Sequence, residues 1–184
     1  MRRASVLATL LVSATLLGSG CLSLVIPEHA PAPATTDDAT VEAMLANRDF
    51  MGSGFVEINH APFPSDLETG RVVTMYVSAD AAAAYQAVSP DTTSAGAAFP
   101  VGGMIVRTSS DPNGTLEELT FMVKHEPGYF PAVGDFLFGV SAPDGTPAVD
   151  ASGHTEWGAL ADCAQCHETR ASSGFLFGVA VANR

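Results

Sequence analysis

The chain predicts an α+β fold, a mainly antiparallel β-sheet with a few helices, and three observations predict it. Short β-rich runs dominate: "RVVTMYVS", "VGGMIVRTSS", "TLEELTFMVKH" and "GDFLFGVSA". Turn signals such as "DPNG" and "PDGT" separate them at hairpin spacing. The helical candidates are few and short, and no internal repeat runs through the 184 residues. Hydrophobic residues make up 47% and charged residues 15%, enough apolar surface for one real core.

The elements follow in order. Arg2 and Arg3, then the apolar run 5–17, have the anatomy of an export signal over residues 1–20. The run is too short to span a bilayer as a helix. "GSGC" ends at Cys21, and small residues directly before a cysteine resemble the lipobox of a bacterial lipoprotein. Cys21 is therefore the expected lipidation site, although Gly18 stands where the usual leucine would be. The competing reading is an ordinary secretory signal with an incidental cysteine. Either way the expected location is the cell envelope of a bacterium. Residues 21–40, rich in Pro, Ala and Thr, read as a tether, and 41–184 as the folded domain.

Within that domain, 41–50 reads as a helix capped by Thr40 and 61–70 as loop. A strand is expected over 71–78, then a helix over 78–88 capped by Ser78 and stopped before Pro90. Asn113-Gly114 predicts a two-residue hairpin turn. That turn sets Arg107 opposite Thr120, Ile105 opposite Met122 and Gly103 opposite Lys124. Alternation puts Ile105, Arg107, Met122 and Lys124 on one face, and Met104, Val106, Phe121 and Val123 on the other. On spacing alone, the face carrying two cations points to solvent. A strand over 134–142, a short helix holding Cys163 to His167, and an apolar segment over 173–183 complete the chain.

The formal net charge is −12, and removing residues 1–20 takes two arginines and no acid, moving it to −14. Nucleic acid is excluded as a partner, because its phosphates demand a basic face.

The chemistry lies in "DCAQCHETR", residues 162–170. The cysteines are Cys21, Cys163 and Cys166, and the last two form C-x-x-C followed at once by His167. In C-x-x-C-H two thiols add across the vinyl groups of one haem, and the adjacent imidazole ligates its iron. Haem attachment in bacteria takes place outside the cytoplasm, where the signal sends this chain. A zinc knuckle would need two more ligands, and His29, His60, His125 and His154 show no matching pairing. A redox dithiol would open a helix in a βαβ context, which is not seen. One motif predicts one covalent haem c, with Cys163 and Cys166 as thioether residues and His167 as metal ligand.

The sequence resembles the cytochrome P-460 family, which includes the cytochromes c′-beta. The carriers are "RVVTMYVSADAAAAYQAV", "FPVGGMIVRT", "MVKHEPGYFPAVGDFLFGV" and "DCAQCHETRASSGFLFGV", and the resemblance covers about residues 60–180. It implies a β-rich haem domain, often a homodimer, with five-coordinate iron and His167 proximal. It implies an open side for a small gaseous or nitrogenous ligand such as nitric oxide. Enzymatic members oxidise hydroxylamine and carry a lysine cross-linked to the haem, where this chain has Arg107. A guanidinium stays protonated and cannot readily form that bond, so hydroxylamine oxidation is not carried over. The resemblance instead turns Arg107 inward, toward a ligand or a haem propionate.

Three functions stay open at this point. A ligand-binding haem protein would line its pocket from Phe99, Phe121, Phe136 and Phe138. An electron-transfer cytochrome with a redox partner protein needs a sixth ligand, for which Met104, Met122, His60, His125 and His154 are chemically eligible. An oxidase or peroxidase needs a distal acid or base, such as Glu126 or Asp135.

Overall fold

The structure, a computed structural model, describes residues 38–90 and 98–184. The signal 1–20, Cys21 and the tether as far as residue 37 lie outside the described residues. None of the described helices is long and apolar enough to cross a membrane.

The fold is α+β with a mostly antiparallel sheet, as the sequence predicts. The strands are β1 (Phe55–Glu57), β2 (Phe63–Pro64), β3 (Val72–Ser78), β4 (Met104–Ser110), β5 (Leu116–Lys124), β6 (Phe136–Ser141) and β7 (Trp157–Gly158). Their order is β1-β3-β4-β5-β6-β7, with β2 also on β3. Among the described residues three α-helices accompany them: α1 (Asp38–Ala46), α2 (Ala82–Gln86) and α3 (Ala161–Glu168).

β1 and β2 pair with the same strand, so they act as one broken edge. The break is held by Asn59, which is buried. Its Oδ1 accepts from Met75 N at 2.7 Å and its Nδ2 donates to Ala61 O at 2.8 Å. These bonds take the place of the ladder the kinked chain cannot form. The expected loop over 61–70 therefore contains a strand.

Each sheet face carries its own core. On one, Val41 and Leu45 of α1 pack with Phe50, Tyr76, Met104, Val106, Leu119, Phe121 and Val123. On the other, Val77, Ile105, Met122, Phe136 and Phe138 meet Ala164, Leu176 and Val179 from the C-terminal region. The faces divide as alternation predicts, but the one with Ile105 and Arg107 is covered. The solvent-facing assignment from spacing alone is overturned, because α3 and the chain after it fold back over that side. Gly139 allows one close fit. It pairs with Phe121, and a Cβ there would stand 2.1 Å from the Phe121 ring.

Local signals were less accurate. α1 starts at Asp38, so Thr40 lies inside it rather than capping it, and residues 38–40 belong to the helix instead of the tether. The expected helix over 78–88 shrinks to Ala82–Gln86. Ser78 ends β3, and its Oγ accepts from Met104 N at 3.0 Å, so the hydroxyl serves the sheet. The β4–β5 register holds, with Arg107 opposite Thr120 and Ile105 opposite Met122. Its turn differs: Asp111 N bonds to Thr115 O, closing a loop of Pro112, Asn113 and Gly114. The pairing then slips between Ser109 and Ser110, leaving Glu117 as the extra residue that restores the register.

Candidate functional site

α3 lies over the second face of the sheet. Ala164 is fully buried, and its small side chain lets the helix approach the turn Pro131–Val133 and the core closely. Residues 163, 166 and 167 stand at i, i+3 and i+4 of α3, so they share one helix face, and Arg170, two residues past the helix end, joins them. All four line a single cavity of about 870 Å³. Sites for drug-sized ligands span roughly 300–1,000 Å³, so this one is large.

The sheet supplies the opposite wall. Met75, Arg107, Thr120 and Val140 form one cross-strand row, and Ile105, Met122 and Phe138 the next. The loop after β2 supplies Ser65, Leu67 and Glu68. The row of Ile105, Met122 and Phe138 is apolar, the row of Arg107 and Thr120 is mixed, and Glu118, opposite Ser109, adds a further polar position.

His167 is fixed from three directions. Its Nδ1 stands 2.7 Å from Phe175 O. A carbonyl only accepts, so Nδ1 carries the proton and Nε2 keeps the lone pair. The ring meets Phe138 at 5.0 Å and Phe177 edge-on at 5.1 Å between centroids. Burial lowers the imidazole pKa despite the carbonyl bond, so the neutral, ligating form is favoured.

Cys163 and Cys166 are free thiols. Burial, with the charges of Asp162 and Glu156 and the nearby Cys166, pushes the Cys163 thiol up to about 11. Redox dithiols work with a lowered nucleophile pKa, and the raised Cys163 thiol runs the other way. Among the described residues, no three His, Cys, Asp or Glu side chains group to hold a metal ion.

Arg107 does face the cavity, but its Nη2 is engaged. It donates to Ser65 Oγ at 2.8 Å and to Glu68 Oε2 at 2.6 Å. Ser109 Oγ donates a second bond to the same carboxylate oxygen at 2.9 Å, and Ser65 Oγ a third at 3.3 Å. Burial raises the Glu68 pKa, but the bonds from Arg107 and Ser109, with the Arg107 charge, outweigh it and hold the carboxyl below its ordinary value. Glu118 goes the other way: burial first, then the Glu68 charge, raises it against Arg71 and Arg107.

The other sequence candidates sort cleanly. Phe138 lines the cavity; Phe121 contributes to it, but its ring packs edge-on to Trp157 at 4.7 Å on the opposite core. Phe99 and Phe136 pack on each other at 5.5 Å in the core and do not line it. Met122 lines it, whereas Met104 belongs to the opposite core. His60 bonds to Arg184 O, His125 stacks on Tyr129, and His154 pairs with Asp150, all away from the lining. Glu126 is exposed, and Asp135 accepts from the N–H groups of Gly128 and Phe130 at 3.0 Å. Neither lines the cavity, so neither is the acid or base there.

Sequence reasoning missed Glu68, Glu118, Met75, Tyr85 and Phe177 in the lining. Glu118 was within reach, because it stands two residues before Thr120 in the same alternation. Glu68 sits in an aperiodic loop, where no sequence signal marks it. The chain matches no family model, no curated protein and no solved structure.

Proposed function

We propose that this chain is an exported, monohaem c-type cytochrome, resembling the cytochrome P-460 family, that binds a small ligand such as nitric oxide. The observation that carries the reading is the α3 stripe: Cys163, Cys166 and His167 line one large cavity, with Nδ1 bound to Phe175 O and the Nε2 lone pair left over. That is the pairing in which an imidazole serves as a metal ligand, its other nitrogen fixed by a backbone carbonyl.

The residues fit the group. Each thiol would add across a vinyl group: a sulfur–carbon bond forms, the thiol proton goes to the neighbouring vinyl carbon, and nothing is oxidised or reduced. The apolar rows of Ile105, Met122 and Phe138 suit a flat macrocycle. When bound, the haem supplies an iron able to take a small ligand on its open face. His167 would hold the iron through Nε2, with Phe138 and Phe177 packed against its ring to fix its orientation.

Arg107 stands where the family's enzymatic members carry the cross-linking lysine. Its tie to Glu68 further supports leaving hydroxylamine oxidation out of the function. Cys21 is the proposed lipid anchor, holding the domain at a membrane of the bacterial envelope. A redox partner protein and a homodimer belong to the same reading.

A second reading is favoured by one observation: Met122 lines the cavity and is chemically able to be a sixth ligand. It would make the protein an electron carrier. The test is to express the chain with its export signal and haem-maturation machinery and record ferrous optical and resonance Raman spectra with and without nitric oxide. Five-coordinate, high-spin iron that responds to the gas supports the first reading. Six-coordinate, low-spin iron indifferent to it supports the second, and the absence of covalent haem refutes both.

A further inference from the structure

The segment that holds His167 is built at a conformational cost. Phe175 has φ 67°, the left-handed region an L side chain rarely adopts. Backbone in such a state persists only where its surroundings over-determine it. Three contacts do so here. Phe175 N donates to Arg170 O at 2.8 Å. Ser173, buried, places its Oγ 3.1 Å from Arg170 O and 2.9 Å from Leu176 O, so its single proton is shared between the carbonyls on either side of Phe175. The Phe175 ring lies on Gly134, where an added Cβ would stand 2.6 Å from it. Gly134 comes from the loop before β6, far from α3 in sequence.

The result of this bracing is the Phe175 carbonyl at 2.7 Å from His167 Nδ1. A carbonyl aimed at that proton makes Nε2 a stronger donor to a metal. We propose that the Ala171–Phe175 turn, braced by Ser173 and by the bare Gly134, is a positioning device that sets the ligand strength of His167. The inference rests on the haem reading. Ser173, Phe175 and Gly134 are positioning residues in it, since they act through His167.

The experiment uses the full-length haem-loaded protein and reads the iron–histidine stretching band of the ferrous form. Ser173→Ala loses the shared hydroxyl bond, and Gly134→Ala forces the Phe175 ring away. Each should move the band to lower frequency while covalent haem is retained. Thr169→Ala serves as a control on the same helix end, where the Oγ1 bonds only Cys166 O, and should leave the band in place. In the wild-type protein, the His167 Nδ1 proton should be slow to exchange by nitrogen-edited NMR. An unmoved band in haem-retaining variants overturns the inference, as does a Nδ1 proton exchanging at the solvent rate, which needs no variant to fold. Wild-type protein without covalent haem overturns the haem reading instead, so the two failures are distinct.

Discussion

Replacing Arg107 with glutamine removes the cation that holds Glu68. The two side chains are 15% and 27% exposed, with Nη2 and Oε2 2.6 Å apart. A solvent-exposed pair contributes about 0.2–1 kcal/mol after screening. Stripping one partner from a fully buried pair costs about 3–5 kcal/mol. This pair lies between, and Ser109 and Ser65 remain near the stranded carboxylate, so Arg107→Gln should cost about 2 kcal/mol. Much of that loss is a penalty on Glu68, not an attraction to Arg107. A double-mutant cycle with Glu68→Gln separates the two, and the coupling should be about 1–2 kcal/mol by urea unfolding at neutral pH. The Glu68 pKa is lowered in the folded state, so the contribution is present above the ordinary glutamate value and is lost as pH falls through the lowered one. Coupling below about 0.3 kcal/mol at neutral pH, or coupling that grows on acidification, would refute the assignment of this contact.

Four further outcomes are expected. Cys163→Ala and Cys166→Ala should each break one thioether, and the double variant should abolish covalent haem, read by intact mass and in-gel haem staining. Glu118→Gln should raise stability at neutral pH: the raised folded pKa favours the neutral form, whose contribution is full below the ordinary value and lost as pH rises through the raised one. Thermal midpoints should converge with wild type near about pH 4. Gly139→Ala drives a methyl into the Phe121 ring and should cost about 1–3 kcal/mol by urea unfolding. Met122→Leu should leave the ferrous spectrum unchanged if the iron is five-coordinate, and convert low spin to high spin if Met122 ligates it.

The fold class was legible because period-2 alternation and hairpin turns are local signals that the sheet obeys. Rows running through Met75, Arg107, Thr120 and Val140 follow from that alternation once register is known. The cysteine–histidine stripe was legible because its chemistry depends on spacing alone. What covers the second face was not legible. The aperiodic stretch 173–183 carries no pattern that says it folds back over β4 and β5, so Arg107 looked solvent-facing on spacing alone. Capping signals misled for a related reason. Ser78 has a hydroxyl suited to a helix start, but the neighbouring strand offered it Met104 N first. Asp135 and Glu126 were attractive as acids only because the sequence does not show that the first is spent on backbone N–H groups and that both lie away from the cavity.

The β4–β5 hairpin makes one length error and then corrects it. Its three-residue tip adds a residue, and the bulge at Glu117 absorbs it before the first cavity row. The tip is self-supporting, since Asp111 Oδ1 accepts from Asn113 N and Thr115 N at 2.8 Å. Pro112, Asn113 and Gly114 are exposed. The hairpin end is thus mechanically insulated from the wall that carries Arg107 and Met122. A reporter group or affinity peptide spliced in at Asn113 would travel with the molecule as a handle without shifting the register of the chamber below it.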